Sequence, residues 1–376
     1  MPKPSPHPSP RALARASSLL EIDLDAAAAN WRHLAAMAGG AARCSAVVKA
    51  DAYGLGAARV GPALAHAGCR LFFVASLEEG AALRRALPEE AEIAVLNGPA
   101  EAPPGSFTAA RLVPVLNDLA QVARWRRFAK GAHGAMLHLD TGMNRLGLSP
   151  EETAQLAADP ALLDGVKLRA ILSHLACAEE ADNPMNEAQR SAFAAALAGL
   201  PQAPASLAGS SGIFLGAAYH FDFVRPGAAI YGVNPAPGRP NPMRSVVRLK
   251  ARILQVRDVD QGGGVGYGAA HRMARTGRIA TLAAGYADGW LRSSSHRGTV
   301  GIAGKRAPIV GRISMDLMTV DVSEIDPRAA APGQWADLLD VTYGVDDAAE
   351  AAGTIGYEIL TSIGRRALRI YRGGFG

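Results

Sequence analysis

Lysine is scarce in this chain. Of its 39 basic residues, six are lysine, at positions 3, 49, 130, 167, 250 and 305, and the rest are arginine. Aromatic residues make up only 6%, and there are three cysteines, Cys44, Cys69 and Cys177. An odd number at wide spacing excludes a disulfide framework and shows no metal-ligand spacing, so a reducing compartment is expected. No run of about 18 apolar residues occurs, which excludes a transmembrane helix. The net charge of +5 is modest, and the basic residues are scattered without a block, which argues against nucleic-acid binding. No apolar signal region occurs near the start, because RALARASSLLEIDLD is broken by Arg, Ser, Glu and Asp. That argues against a secretory signal and gives a cytoplasmic expectation. The opening MPKPSPHPSP has proline at every second position, so residues 1–17 are expected to form a disordered tail.

What is present suits two domains. The length is 376 residues, with 49% apolar content. Eight short apolar runs recur through the first two-thirds: CSAVV (44–48), CRLFFVA (69–75), AEIAVLN (91–97), RLVPVLN (111–117), GAMLHLD (134–140), LRAILSHL (168–175), APASLA (203–208) and YHFDFV (219–224). Most gaps between them have helical character. Alternating strands and helices imply parallel βαβ units, and eight of them suggest an α/β fold of the (β/α)8 TIM-barrel type over residues 18–243. An open doubly wound sheet is the alternative. Beyond residue 243 the runs shorten, lose their helices and gain Gly, Asp and Pro, so residues 244–376 read as a mostly antiparallel β domain. The segment LLEIDLD (19–25) also reads as a strand, and residues 18–25 could pair with either domain.

Barrels carry their chemistry at the C-terminal ends of their strands. Here those ends hold Lys49, Asn97, Asn117, Asp140-Thr141-Gly142, His174, Gly209-Ser210-Ser211-Gly212 and Arg225-Pro226-Gly227. Each has an ordinary reading by itself. A strand-end lysine reaches solvent, an asparagine makes a turn, and a histidine is half-buried and satisfied. Together they suggest more. Small residues after the seventh and eighth strands expose backbone N–H groups to an anion. A phosphate site facing a lysine across a barrel mouth fits a Schiff base with pyridoxal phosphate.

The string AVVKADAYGLGA resembles the cofactor-lysine motif of bacterial alanine racemases. HLDTGMNRLGL (138–148), SSGIFLG (210–216), DFVRPGAAIYG (222–232), GVGYGA (264–269), GYADGWLR (285–292) and GRISMDLM (311–318) match in the same order. The resemblance spans residues 18 to 372 or so and implies a barrel followed by a β domain. It also implies a head-to-tail homodimer whose active sites are each completed by the partner. By that resemblance Lys49 holds pyridoxal 5'-phosphate and serves as base on one face of the substrate. Tyr267, donated by the partner subunit, serves the other face. Tyr53 and Tyr357 would reach the phosphate, and Ser210, Gly227 and Ala228 would complete its cup. Arg225 would face the pyridine nitrogen, with His174 hydrogen-bonded to it. Arg145 would bind the substrate carboxylate. Met315 and Tyr286 would line the substrate's approach, supported by Asp316. No metal is implied. Three positions depart from the family pattern: Gly209 for Asn, Ser314 for Cys, and His138 for a lysine that many members carbamylate.

The implied activity is interconversion of L- and D-alanine, for peptidoglycan synthesis or alanine catabolism. A racemase of other specificity, a barrel-type decarboxylase and a single-barrel cofactor carrier are the alternatives. GVGYGA argues against the second, and the long β domain against the third.

Overall fold

The first strand, β1 (Ser18–Asp23), alternates Leu20 and Ile22 inward, but its partners lie far away in sequence. It runs antiparallel to β9 (Val247–Val259) and parallel to the last strand of the chain, Leu368–Arg372. The N-terminal strand therefore belongs to the C-terminal sheet, which settles the choice left open by the sequence. The structure, a computed structural model, describes residues 9–99 and 101–374. Residues 1–8 of the expected tail lie outside those residues. Residues 9–17 of it are described and include regular structure. Pro10–Arg15 form a helix whose N-cap is Ser9, and Arg252 Nη2 donates to Leu13 O at 3.0 Å. Proline is tolerated at the first helical position, because that N–H has no intrahelical partner.

Seven parallel strands follow in chain order: β2 (Ala46–Val47), β3 (Leu71–Val74), β4 (Glu92–Val95), β5 (Val113–Leu116), β6 (Gly134–His138), β7 (Lys167–Leu172) and β8 (Ala205–Ser206). Several of the helices between them start at side-chain caps. Ser76 accepts from Glu79 N, Asp118 accepts from Gln121 N, and Ser149 forms a capping box with Glu152. The eighth run, 219–224, is not a regular strand. Ala217–Tyr219 is a 3-10 turn, and Phe221 has φ 52°. The Asp222 carboxylate takes the Ala205 N–H that a ladder partner would use. The segment still closes the barrel at its end. Val224 bridges Cys44 in parallel, Ser45 N–H donates to Val224 O (3.0 Å), and Val47 N–H to Pro226 O (2.8 Å).

In the second sheet, β9 alternates Val247, Leu249, Ala251 and Ile253 into the core. A small ribbon, β10 (Gly264–Val265) with β11 (His271–Arg272), stands apart from that sheet and carries Tyr267 at its tip. Asn30, 2% exposed, ties the barrel's first helix to the connection between the sheets. Its amide donates to Ile230 O and Arg244 O and accepts from Arg244 N. A buried amide satisfied on both ends fixes geometry that an apolar contact would leave to slide.

Candidate active site

The chain turns sharply where β2 ends. Ala50, Asp51, Ala52 and Tyr53 all have φ between 52° and 55°, so the residues after Lys49 form one turn of left-handed helix without a glycine. Each such residue costs about 1–2 kcal/mol relative to the right-handed form, and strain of this kind collects at functional sites. The turn is held from several sides. Gly54 N–H donates to Ala50 O (2.7 Å), Gly56 N–H to Asp51 O (2.8 Å) and Ala57 N–H to the Asp51 carboxylate (2.7 Å). It brings Lys49 and Tyr53 to one cavity of about 660 Å³. Burial pushes the Lys49 amine below its ordinary pKa, the Arg145 charge pushes it further, and Glu79 opposes both.

Across that cavity lies a cup of small groups. The Ser210 hydroxyl accepts from Gly227 N (3.0 Å) and Ala229 N (3.2 Å), at the start of the 3-10 turn Ala228–Tyr231. A Cβ on Gly227 would lie 2.3 Å from the Tyr53 hydroxyl, so only glycine lets that phenol reach the cup. The Tyr53 ring packs on Tyr231 and Tyr357, at 4.7 and 6.2 Å between centroids. A buried serine, converging backbone N–H groups, a tyrosine hydroxyl and the nearby Lys49 and Arg225 fit a phosphorylated aldehyde cofactor. Tyr357 differs from expectation: its hydroxyl donates to Glu179 Oε1 at 3.1 Å, so it lines the cavity with its proton already committed. Gly209 also finds a reason here, because a Cβ there would press on His174 Cε1 at 3.2 Å.

Arg225 is 7% exposed. Its Nη1 donates to Ser206 O (2.7 Å) and Ser206 Oγ (2.6 Å), and its Nη2 to Ser173 O. Two of the guanidinium's five N–H groups are left, with Arg225 on the cavity wall. Burial lowers its pKa to about 10, which leaves it charged at neutral pH. The expectation that His174 hydrogen-bonds Arg225 is not met. Ser206, which the sequence reading missed, takes that place, while His174 lies against Gly209.

His138 faces the same cavity from the end of β6. Asn117 Nδ2 donates to Leu96 O (3.1 Å) and Val115 O (3.0 Å), which leaves Asn117 Oδ1 to accept from His138 Nδ1 at 2.8 Å. In a neutral ring Nε2 then carries the lone pair. Arg145 acts on this ring through its charge, without a hydrogen bond to it among the described residues. The loop that bears Arg145 is organised by Asp140, whose Oδ1 accepts from Gly142, Met143 and Asn144 N–H at 2.9, 2.9 and 3.1 Å.

Burial and the Arg225 charge lower His138 to about 4 and His174 to about 3. The unfolded chain protonates these rings near pH 6.5, so it binds more protons than the fold between that pH and about 4. Stability is thus fully present above about pH 6.5 and falls as the pH drops, by at most about 1.4 kcal/mol per pH unit per histidine. Equilibrium unfolding at neutral pH and near pH 5 is expected to show the loss, with a shallower slope in His138→Asn. An unchanged slope in that variant would remove His138 as a source.

The remaining expected residues stand elsewhere. Tyr267, Met315 and Tyr286 are 72%, 52% and 44% exposed, and none lines the cavity of its own chain. The loops of Tyr286 and Met315 are bound to each other: Tyr286 N–H donates to Ser314 O (3.1 Å) and Ala287 N–H to Met315 O (2.9 Å). Asp316 pairs with Arg366 at 2.6 Å, and Arg366 also lies 3.7 Å from Asp288, so the arginine ties both loops together. Ser314 closes its turn through Leu317 N and O.

Comparison with known proteins covers the whole arrangement. Residues 22–235 match the family model "Alanine racemase, N-terminal domain", and residues 246–371 match "Alanine racemase, C-terminal domain". A catabolic alanine racemase of Mesorhizobium japonicum is 48% identical over 96% of this chain and 95% of its own length. An alanine racemase of Rhodospirillum rubrum is 48% identical over 96% and 97%. Among solved structures, the alanine racemase of Bartonella henselae with covalently bound pyridoxal phosphate has a TM-score of 0.91 at 41% identity, covering 95% of this chain and all of that one.

Proposed function

The chain belongs to the alanine racemase family, and from that membership we propose that Lys49 and a partner's copy of Tyr267 move the substrate's α-proton on opposite faces. The protein is a pyridoxal-phosphate-dependent isomerase that interconverts L- and D-alanine, for peptidoglycan synthesis or alanine catabolism. The cofactor, when bound, supplies an electron sink that acidifies the substrate's Cα–H. Everything else falls to this chain. Lys49 Nζ is the nucleophile that retains the cofactor, and its lowered pKa gives it the free amine that nucleophile and base chemistry need. Tyr53, Ser210, Gly227 and Ala228 would hold the phosphate, while Tyr357 and His174 wall the site. Arg225 would face the ring nitrogen. A guanidinium only donates hydrogen bonds, so it would leave that nitrogen unprotonated and the electron sink weak. A weak sink favours prompt return of the proton to Cα. Arg145 takes the substrate carboxylate, and Met315 and Tyr286, braced through Asp316 and Arg366, line the approach.

The observation that carries this reading is convergence. Lys49, Arg145, Arg225 and the Ser210–Gly227 cup come from separate strand ends onto one cavity. The exposure of Tyr267, Tyr286 and Met315 supports a homodimer in which a second copy completes the site. A cytoplasmic location is proposed with it. No helix among the described residues is long and apolar enough to cross a membrane. A chiral assay of the purified protein with several L-amino acids tests the reading. D-alanine should form fastest, and absence of any D-product would overturn it.

His138 adds a further prediction. An imidazole forms no stable carbamate, so stripping bicarbonate is expected to leave activity unchanged. His138→Ala frees Asn117 and removes a neutral neighbour of Arg145. It is expected to raise KM for alanine by about tenfold, as for loss of a hydrogen-bonded positioning group. Activity that follows carbon dioxide, or a silent His138→Ala, would count against this account.

A further inference from the structure

Ala50 opens the left-handed turn, and its N–H belongs to the peptide that joins it to Lys49. That N–H finds its acceptor on another unit of the barrel. Glu79 Oε1 accepts it at 2.8 Å, and Glu79 Oε2 accepts Ala75 N–H, just past the end of β3, also at 2.8 Å. Glu79 itself is set by Ser76, whose hydroxyl accepts from Glu79 N at 3.3 Å at the start of helix Leu77–Arg84. An acidic residue in a first helical turn ordinarily reaches back to its own helix cap. Here the carboxylate spans two barrel units and grips the backbone of Lys49.

We propose that Glu79 is the positioning residue for Lys49: its carboxylate fastens the left-handed turn through the Ala50 amide and supplies the negative charge that offsets Arg145 at the lysine amine. The inference rests on the reading of Lys49 as the cofactor lysine. Without Glu79, a strained turn whose first N–H has lost its acceptor would relax. Lys49 would then lose both its aim and its counter-charge. Among the described residues, the other charged or titratable groups on the wall of the Lys49 cavity are Arg145, Arg225, His138, His174, Tyr53, Tyr357 and Glu358. The one carboxylate among them, Glu358, takes the Thr354 hydroxyl, and only Glu79 bonds the Ala50 amide. A residue that moves a proton in both directions works best with a pKa near the working pH. Glu79 opposes the lowering that burial and Arg145 impose on the Lys49 amine.

The test uses full-length holoenzyme and two variants. Glu79→Gln keeps the size but removes the charge and one acceptor. It is expected to lower the pH midpoint of the visible-absorbance titration of the lysine-bound cofactor by about one unit. It should also speed cofactor release about tenfold, as loss of a charge-assisted hydrogen bond would. Glu79→Asp keeps the charge but cannot span both amides, so the midpoint should stay while release quickens. A Glu79→Gln protein with unchanged midpoint and release overturns the proposal. If that variant does not fold, Glu79→Asp decides by its release rate, and unchanged release overturns it. Failure of both to fold makes Glu79 a folding element and also overturns it. If Lys49→Ala retains the wild-type absorbance, the cofactor assignment has failed instead, which separates the two ideas.

Discussion

Lys49→Ala is expected to abolish the visible absorbance of the bound cofactor and to cut turnover by at least about 10⁴-fold. Two losses combine in that figure. The covalent attachment goes, and so does the general base on one face, which alone contributes about 10²–10⁴-fold. The variant should fold. Positive φ begins at Ala50 rather than at Lys49, and the hydrogen bonds that hold the turn involve main-chain groups and the carboxylates of Asp51 and Glu79. Thermal unfolding close to wild type would therefore accompany the loss. A small exogenous amine should restore part of the absorbance, since it supplies the missing nucleophile without the positioning. Borohydride should fix the cofactor irreversibly to wild type, with the label on the peptide containing Lys49. Absorbance that persists in the variant without added amine would remove Lys49 from its role.

The cavity residues were legible because a parallel barrel has one rule for its chemistry. Residues just past successive strands meet at one end, so Lys49, His174, Ser210 and Arg225 group together from the sequence, whereas His138 stands out there only as a departure from the family pattern. What was hidden depends on backbone shape or on unspecialised residue types. Nothing in Ala50-Asp51-Ala52-Tyr53 signals left-handed geometry, because the usual marker, glycine, arrives only at Gly54. Ser206 sits in APASLA among small residues that read as strand filling, yet its hydroxyl holds the buried guanidinium. Glu79 reads as a helix-start acid, and its second grip, on Ala50, is a contact across sequence that no local pattern contains. The eighth run has the composition of a strand, but Asp222 and the kink at Phe221 spend its hydrogen bonds otherwise. The pairing of β1 with β9 and the last strand joins residues more than 200 positions apart, and periodicity gives a strand's faces but not its neighbours.

Tyr267→Phe is expected to lower turnover by about 10²–10⁴-fold, the span of a lost general acid or base, while leaving cofactor absorbance intact. The decisive result comes from mixing it with Lys49→Ala. In a head-to-tail dimer each site takes Lys49 from one subunit and Tyr267 from the other. A heterodimer of the two variants then has one site with both groups missing and one with both present. Random exchange at equal amounts makes half the dimers heterodimers, each with one of its two sites intact, so about a quarter of wild-type activity should return. The placement of Tyr267 is what the proposed partner contribution rests on: it stands 72% exposed at the tip of the β10–β11 ribbon and is absent from the wall of its own cavity. Subunit exchange should be verified with distinguishable tags. If exchange is complete and activity stays at the level of the separate variants, the two groups do not meet across an interface, and the second face must be served from within the subunit.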